Sequence, residues 1–220
     1  MSERLVDISH PIADGTITYP GLPAPEISEH LTRDEAEEHY APGVRFHIGR
    51  ICMIANTGTY VDSPFHRFED GVDLAGLELR RLAGRPGIVV DPPLDDGRAI
   101  EAVAFHDLDL ADRAVLVRTG WDRHWGTPEY GVGYPFLTAA AGEFLLEAGA
   151  AIVGIDSLNV DDDTDPQRPV HTTLLGAGIP ICEHLCNLTA LPTWGFRFHA
   201  APVKVEGLGT FPVRAYAELD

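Results

Sequence analysis

Residues 56–66 gather side chains that could bind a metal ion or move protons. The stretch reads Asn-Thr-Gly-Thr-Tyr-Val-Asp-Ser-Pro-Phe-His. Its phenol is Tyr60, its carboxylate is Asp62 and its imidazole is His66. It follows an apolar run, 46–55, that predicts a strand, and polar groups beside a strand end are typical of a site on a rigid scaffold. We therefore expect the function to lie here.

Two residues far along the chain complete a set that could hydrolyse a substrate with the help of a metal. Such a site needs a few nitrogen and oxygen ligands and one position left open for water. Asp62, His66, His171 and Glu183 supply these types, each near the end of a predicted strand or the start of a predicted helix. The chain has 10 His and 34 Asp plus Glu, so spacing alone leaves a structural role for these four residues open.

Other polar clusters are weaker candidates. Cys182 and Cys186 have the spacing of a metal clip, but the chain has only 3 Cys, so buried thiols are the better interpretation. The acidic loop 161–165 lacks the Gly and the terminal Glu of a calcium loop, which favours a solvated turn.

Several aromatic residues could line a substrate pocket, since pockets commonly combine aromatic walls with a few polar groups. The candidates are His10, Tyr19, Trp121 and Trp125. Ordinary core packing is an equal alternative for the two Trp residues.

The elements that must position these residues alternate between helices and continuous apolar strands, which predicts an α/β protein with both sheet faces covered. Thr138 is a suitable N-cap for the clearest helix, and Gly149 is suited to end it. The predicted strands are 5–12, 46–55, 87–91, 114–119, 151–156 and 179–183, and the predicted helices are 32–39, 138–148 and 171–175. The segment 74–82 predicts a short helix or a loop, and 99–106 a short helix or a strand.

Composition limits the class of partner. The 220 residues suit one domain, and 16 Lys plus Arg against 34 Asp plus Glu give a formal net charge of −18. Such a charge repels nucleic acids and anionic lipids, so we expect a small-molecule substrate and neither of those partners. No signal-peptide pattern or apolar run of membrane-spanning length is present, which predicts a cytoplasmic protein.

The chain resembles the cyclase family that includes bacterial kynurenine formamidases and isatin hydrolases. The motif of that family is His-x-Gly-Thr-His-x-Asp-x-Pro-x-His, and residues 56–66 match five of its seven specified positions. Further matching segments follow in the family's order: 7–11, 19–21, 115–121, 153–156, 171–175 and 181–183.

The resemblance implies a swivelling β/β/α fold, one domain over residues 1–220, and a homodimer or homotetramer. It also implies that Asp62, His171 and Glu183 bind a metal ion, that His66 is the general acid and base, and that Tyr19 lies against the substrate.

Two departures from the motif weaken the implied metal binding. Asn56 and Tyr60 stand where the family has two imidazole ligands, and an amide or a neutral phenol is a poor ligand for zinc. We expect one bound divalent ion, Zn or Mn, and the alternative that no ion binds stays open. Tyr60 could instead donate a hydrogen bond to a developing oxyanion, and Asn56 could orient the substrate carbonyl. In the alternative, Asn56 and Tyr60 satisfy each other in an inactive pocket.

The resemblance therefore predicts a metal-dependent hydrolase of a small amide, formamide or lactam. Two alternatives stay open. One is a metal-free lyase or cyclase that uses Tyr60 and His66 for acid–base chemistry, and the other is a catalytically impaired protein that binds a small ligand.

Overall fold

The structure, a computed structural model, describes residues 4–94 and 97–220. Residues 1–3 and 95–96 of the expected single domain lie outside the described residues. The strands are β1 (Arg4–Asp7), β2 (Glu26–Leu31), β3 (Ile48–Cys52), β4 (Tyr60–Asp62), β5 (Arg85–Val90), β6 (Ala99–Ile100), β7 (Ala114–Val117), β8 (Phe136–Leu137), β9 (Ile152–Ile155), β10 (Ile181–Glu183), β11 (Phe196–His199), β12 (Thr210–Pro212) and β13 (Tyr216–Leu219). The α-helices are α1 (Arg33–His39), α2 (Leu79–Leu82), α3 (Ala139–Glu147) and α4 (Pro169–Gly176).

One nine-stranded sheet dominates the described chain, in the order β1-β13-β11-β5-β7-β9-β10-β4-β12. Its centre, β5-β7-β9-β10, is parallel, whereas the strands on either side pair antiparallel. The central strands β7 and β9 are buried along their whole length, as their continuous apolar sequences predict. The predicted α/β class is confirmed.

Helices cover one face of this sheet. Leu145 of α3 and Leu174 of α4 pack in one buried cluster with Val117 and Ile155 of the central strands. Helix α3 begins and ends as predicted: the Thr138 side chain accepts a hydrogen bond from the backbone of the first turn, and Gly149 adopts the left-handed conformation with φ 76°.

The other face is covered, but mainly by the sheet itself. Its buried cluster joins Leu116 of a central strand to Val61 of β4 and to Phe196 and Phe198 of β11, near the two ends of the strand order. The sheet therefore curls, and burial on both faces is achieved without a second full helical layer.

The predicted strand 46–55 is present as β3, but its place differs from the expectation. It pairs only with β2, in a two-stranded hairpin, and all its residues are exposed. The chain joins the main sheet later, within the chemically rich stretch itself, at β4. An apolar run alone does not reveal whether a strand will be buried in the main sheet or exposed in a hairpin.

The ambiguous segments resolve into short elements. The segment 74–82 ends in helix α2, and 99–106 contains both strand β6 and a 3₁₀ turn at Ala102–Phe105. The segment 32–39 forms α1, which Thr32 and Glu35 close with a capping box. Among the described residues, no helix is long and apolar enough to cross a membrane.

Candidate active site

The site is built on one face of three adjacent strands, β10, β4 and β12. Glu183 lies directly opposite Tyr60, and Thr210 lies directly opposite Asp62. Residues two apart on a strand point to the same face, and so do directly opposed residues of antiparallel neighbours. The strand register therefore places Tyr60, Asp62, Thr210 and Glu183 side by side, although they are far apart in the sequence.

Glu183 and Tyr60 form a buried hydrogen-bonded pair. The Tyr60 hydroxyl donates to Glu183 Oε2 at 2.7 Å, and the backbone N–H of Val160 donates to Oε1 at 2.8 Å. Burial raises the pKa of both the Glu183 carboxyl and the Tyr60 phenol. The hydroxyl proton of Tyr60 thus points at the Glu183 carboxylate. Tyr60 could donate a hydrogen bond to a substrate only if the contact with Glu183 broke.

Thr210 links Asp62 to His66. Its hydroxyl donates to Asp62 Oδ1 and lies 2.8 Å from Nδ1 of His66. Because the hydroxyl has one proton, which Asp62 receives, His66 donates its Nδ1 proton to Thr210 Oγ1. The Nε2 lone pair of His66 is then free to accept a proton, and about a third of the side chain (33%) is exposed.

Asp161 fixes the orientation of His171. One oxygen of this buried carboxylate lies 2.6 Å from His171 Nδ1, and the carboxylate also accepts hydrogen bonds from the backbone N–H groups of Val170 (2.7 Å) and His171 (3.1 Å). The expectation of a solvated turn at 161–165 is wrong for Asp161. Burial opposes a charge on His171, but the hydrogen bonds and charges of the surrounding acids outweigh it and raise the pKa of His171 to about 10.

The free atoms of this cluster suit a divalent cation. Asp62 Oδ2 and His171 Nε2 are buried without a hydrogen-bond partner, and they lie 3.8 Å apart. Two ligands bound at about 2.1 Å to one zinc ion can be up to about 4.2 Å apart. Ligand atoms of Asp62, His66 and His171 all lie within 4.8 Å of one another, and Glu183 Oε1 lies 3.8 Å from His171 Nε2. Asp62 and His171 therefore fit the expected ion. The group of described residues whose ligand atoms share this spacing contains His66 and not the expected ligand Glu183.

A cavity of about 230 Å³ opens onto this cluster. It brings together six of the seven predicted site residues, and the seventh, Asp62, is fully buried beside them. Its lining consists of Tyr19, Leu22, Asn56, Tyr60, His66, Asn159, Arg168, His171 and Glu183.

Three of the proposed aromatic lining residues do not line this cavity. Trp121 and Trp125 pack in a separate cluster around Tyr130, and His10 stacks on Trp125 with ring centroids 3.9 Å apart. The packing alternative holds for both Trp residues. Neither Cys182 nor Cys186 belongs to the group of described residues whose ligand atoms could share an ion.

His184 is a buried part of the site that the sequence analysis missed. Its Nδ1 lies 2.9 Å from the Tyr130 hydroxyl and its Nε2 lies 3.2 Å from the Tyr60 hydroxyl. Complete burial lowers the pKa of His184 to about 3, so the ring is neutral. It thus contacts the same Tyr60 hydroxyl that donates to Glu183. Its position directly after Glu183 was the one available signal.

Comparisons with known proteins identify the family of the chain. A family model described as "Putative cyclase" matches residues 6–162. The chain is similar to the kynurenine formamidase of Bacillus cytotoxicus, with 27% identity over 210 residues, covering 96% of this chain and 95% of the relative. The kynurenine formamidase of Bacillus cereus is 28% identical over 210 residues, with the same coverage.

Two solved structures are similar over nearly the whole chain. One is described as a potential metal-dependent hydrolase with cyclase activity, with a TM-score of 0.81, 26% identity and coverage of 100% of this chain and 99% of that chain. The other is isatin hydrolase A from Labrenzia aggregata bound to benzyl benzoate, with a TM-score of 0.82, 25% identity and coverage of 99% and 94%.

Proposed function

The chain belongs to the cyclase family, and on that premise we propose that it is an enzyme that hydrolyses a C–N bond of a small amide, formamide or lactam. The relatives support this class of bond, because kynurenine formamidase and isatin hydrolase are named for a formamide and a lactam. The cavity of about 230 Å³ is below the roughly 300 Å³ of drug-sized sites, which favours a small substrate.

The observation that carries the proposal is the pair of unpartnered buried atoms, Asp62 Oδ2 and His171 Nε2. An unpaired buried polar atom costs free energy, so two that face each other at 3.8 Å argue for a shared ligand. We assign Asp62, His171 and Glu183 to one divalent ion, Zn or Mn. When bound, such an ion would lower the pKa of a coordinated water and polarise the substrate carbonyl.

His66 is the proposed general base and acid. Its Nδ1 is held by Thr210, and Nε2 would take a proton from the attacking water as the new C–O bond forms. The same nitrogen would then return that proton to the departing nitrogen as the C–N bond breaks. The partial exposure of His66 suits this role, because the acid–base group must reach the substrate.

Asn56 and Tyr19 supply the substrate side of the cavity in this proposal. Both line it, as does the Tyr60 ring, whose hydroxyl holds Glu183. Asn56 carries both a donor and an acceptor, so it can orient an amide substrate.

Elemental analysis of protein purified without chelator tests the metal assignment. We expect about one divalent ion per chain, lost in His171→Ala and Asp62→Asn but kept in His66→Gln and in the control His39→Ala, whose imidazole is exposed on α1. Turnover of N-formylkynurenine or isatin should stop with chelator and in His66→Gln, and continue in the control.

The same experiment separates the alternatives. Activity that survives chelation but not Tyr60→Phe would contradict the metal-dependent proposal and favour a metal-free lyase or cyclase. A protein without an ion and without turnover of any formamide or lactam would instead favour a small-ligand-binding role.

A further inference from the structure

Arg168 is the one Lys or Arg side chain among the described residues that line the cavity. It occupies the N-cap position of α4, three residues before His171. Its side chain is 31% exposed, and the residue lines the cavity. Its residue type and position in the sequence alone predict no role.

The backbone of Arg168 adopts an uncommon conformation. Its φ of 48° and ψ of 58° lie in the left-handed region, which residues other than Gly, Asn and Asp rarely occupy. Such strain persists where the surroundings enforce it, and it is frequent at ligand sites. Here it sends the chain into α4 directly after the acidic loop.

The acidic neighbours of Arg168 do not use its hydrogen-bond donors. Asp161 already accepts the three hydrogen bonds described above, and Glu183 accepts two. Arg168 Nε is 4.0 Å from Asp161 Oδ2, which is beyond hydrogen-bond distance. An Arg that served only to neutralise Asp161 would be expected to form the close paired contact typical of Arg with a carboxylate.

The negative charge of the protein makes a cation in the cavity important for binding an anion. With a net charge of −18, the surface repels anions, and the cavity itself contains Glu183 beside the buried Asp62. A negatively charged substrate would need a local cation whose donors are not taken up by a carboxylate of the protein. The planar fork of a guanidinium matches the two oxygens of a carboxylate.

We infer that Arg168 is the specificity-determining residue of the cavity and that the preferred substrate carries a carboxylate beside the amide, formamide or lactam group. The inference rests on the proposed hydrolase function for the nature of the bond, but the anion contact itself does not require turnover.

Binding of benzoate and benzamide, measured by isothermal titration calorimetry at pH 7.5, tests the contact without any reaction. We expect the wild type to prefer benzoate, and Arg168→Asn to weaken benzoate about 10- to 100-fold while changing benzamide little, since a charge-assisted hydrogen bond is lost. Asn is chosen because it tolerates the left-handed backbone. Arg168→Lys keeps the charge without the fork and should fall between them.

Arg113→Asn is the matched control, because that side chain is also 31% exposed but lies against Asp109, away from the cavity. It should bind benzoate like the wild type. Melting temperatures of all variants identify any that fail to fold, in which case Arg168→Lys carries the test. Equal benzoate affinity in folded Arg168→Asn and in the control would overturn the inference. Benzoate binding that vanishes with chelator yet persists in Arg168→Asn would also overturn it.

Turnover separates this inference from the proposed function. The wild type should hydrolyse 2-formamidobenzoate with a lower KM than formanilide, and Arg168→Asn should remove that difference in KM. Equal KM values for the two substrates would refute the inference and leave the hydrolase proposal standing. Arg168-dependent benzoate binding without any hydrolysis would support the inference and refute the hydrolase proposal.

Discussion

Replacing Asp161 by Asn should loosen the proposed metal site without touching a metal ligand. The Asp161 carboxylate accepts hydrogen bonds from Val170 N–H, His171 N–H and His171 Nδ1. An amide has the same shape but only one oxygen. Its NH₂ group would therefore face one of the N–H donors that a carboxylate oxygen now accepts from. Either the imidazole or the first turn of α4 loses its acceptor.

The magnitude follows from that loss. A hydrogen bond to a charged group contributes about 1.5–3 kcal/mol, and leaving a buried donor unpaired costs about the same, so the free energy of unfolding should fall by roughly 1–3 kcal/mol. Hydrogen-bond partners of metal-binding His residues typically change metal affinity by about 10- to 100-fold when mutated. We expect both effects together, because one carboxylate holds the helix and the ring.

Competition with a chromophoric chelator measures the affinity for zinc and manganese, and chemical denaturation of the metal-free protein measures stability. Asp163→Asn is the control, since it removes the same charge from an exposed position of the same loop. Equal metal affinity in the two variants would refute the proposed function of Asp161.

Three further perturbations test the surrounding structure. Thr210→Val should lower kcat by roughly 10- to 100-fold, because Asp62 and His66 lose the hydroxyl that they share. Thr210→Ser keeps a hydroxyl at this position and should keep kcat near the wild-type value. Equal kcat in the two variants would contradict this prediction. Gly209→Ala would place its Cβ 2.3 Å from the backbone nitrogen of His66, so the backbone around residue 209 must shift. Both the melting temperature and kcat/KM should fall, and unchanged values of both would contradict this. Burial raises the pKa of Asp156 from 3.8 to about 6, so between these pH values the folded state holds a proton that the unfolded state has lost. The contribution of Asp156 to the free energy of unfolding should therefore fall as the pH rises from about 4 to about 6, and Asp156→Asn should remove up to about 3 kcal/mol of that fall in pH-dependent denaturation. An unaltered pH dependence in this variant would contradict the shift.

The parts of the fold that the sequence predicted are those with strong local signals. The buried strands β7 and β9 are continuous apolar runs, and α3 has both of its end signals, so each needs little information from elsewhere in the chain. The hairpin of β2 and β3 was harder, because an apolar sequence does not reveal whether its neighbours will cover it.

The same division holds for the candidate site. Asp62, His66, His171 and Glu183 were found from residue type and family order, and the structure brings their polar atoms together. Thr210, Asp161 and Arg168 were missed because their neighbours are fixed by strand register and by the entry into α4. These relationships join residues of high sequence separation, which no local pattern encodes.

The two sides of the cavity are anchored very differently. Asp62 and Glu183 belong to the buried sheet, whereas Tyr19, Leu22 and Asn56 come from the chain around the exposed two-stranded hairpin. Isolated hairpins of this kind are only marginally stable by themselves. Sequence changes in that outer segment could therefore alter how the uncharged part of a substrate is accepted while leaving the reactive groups and Arg168 untouched, so this part of the selectivity can evolve separately from the chemistry.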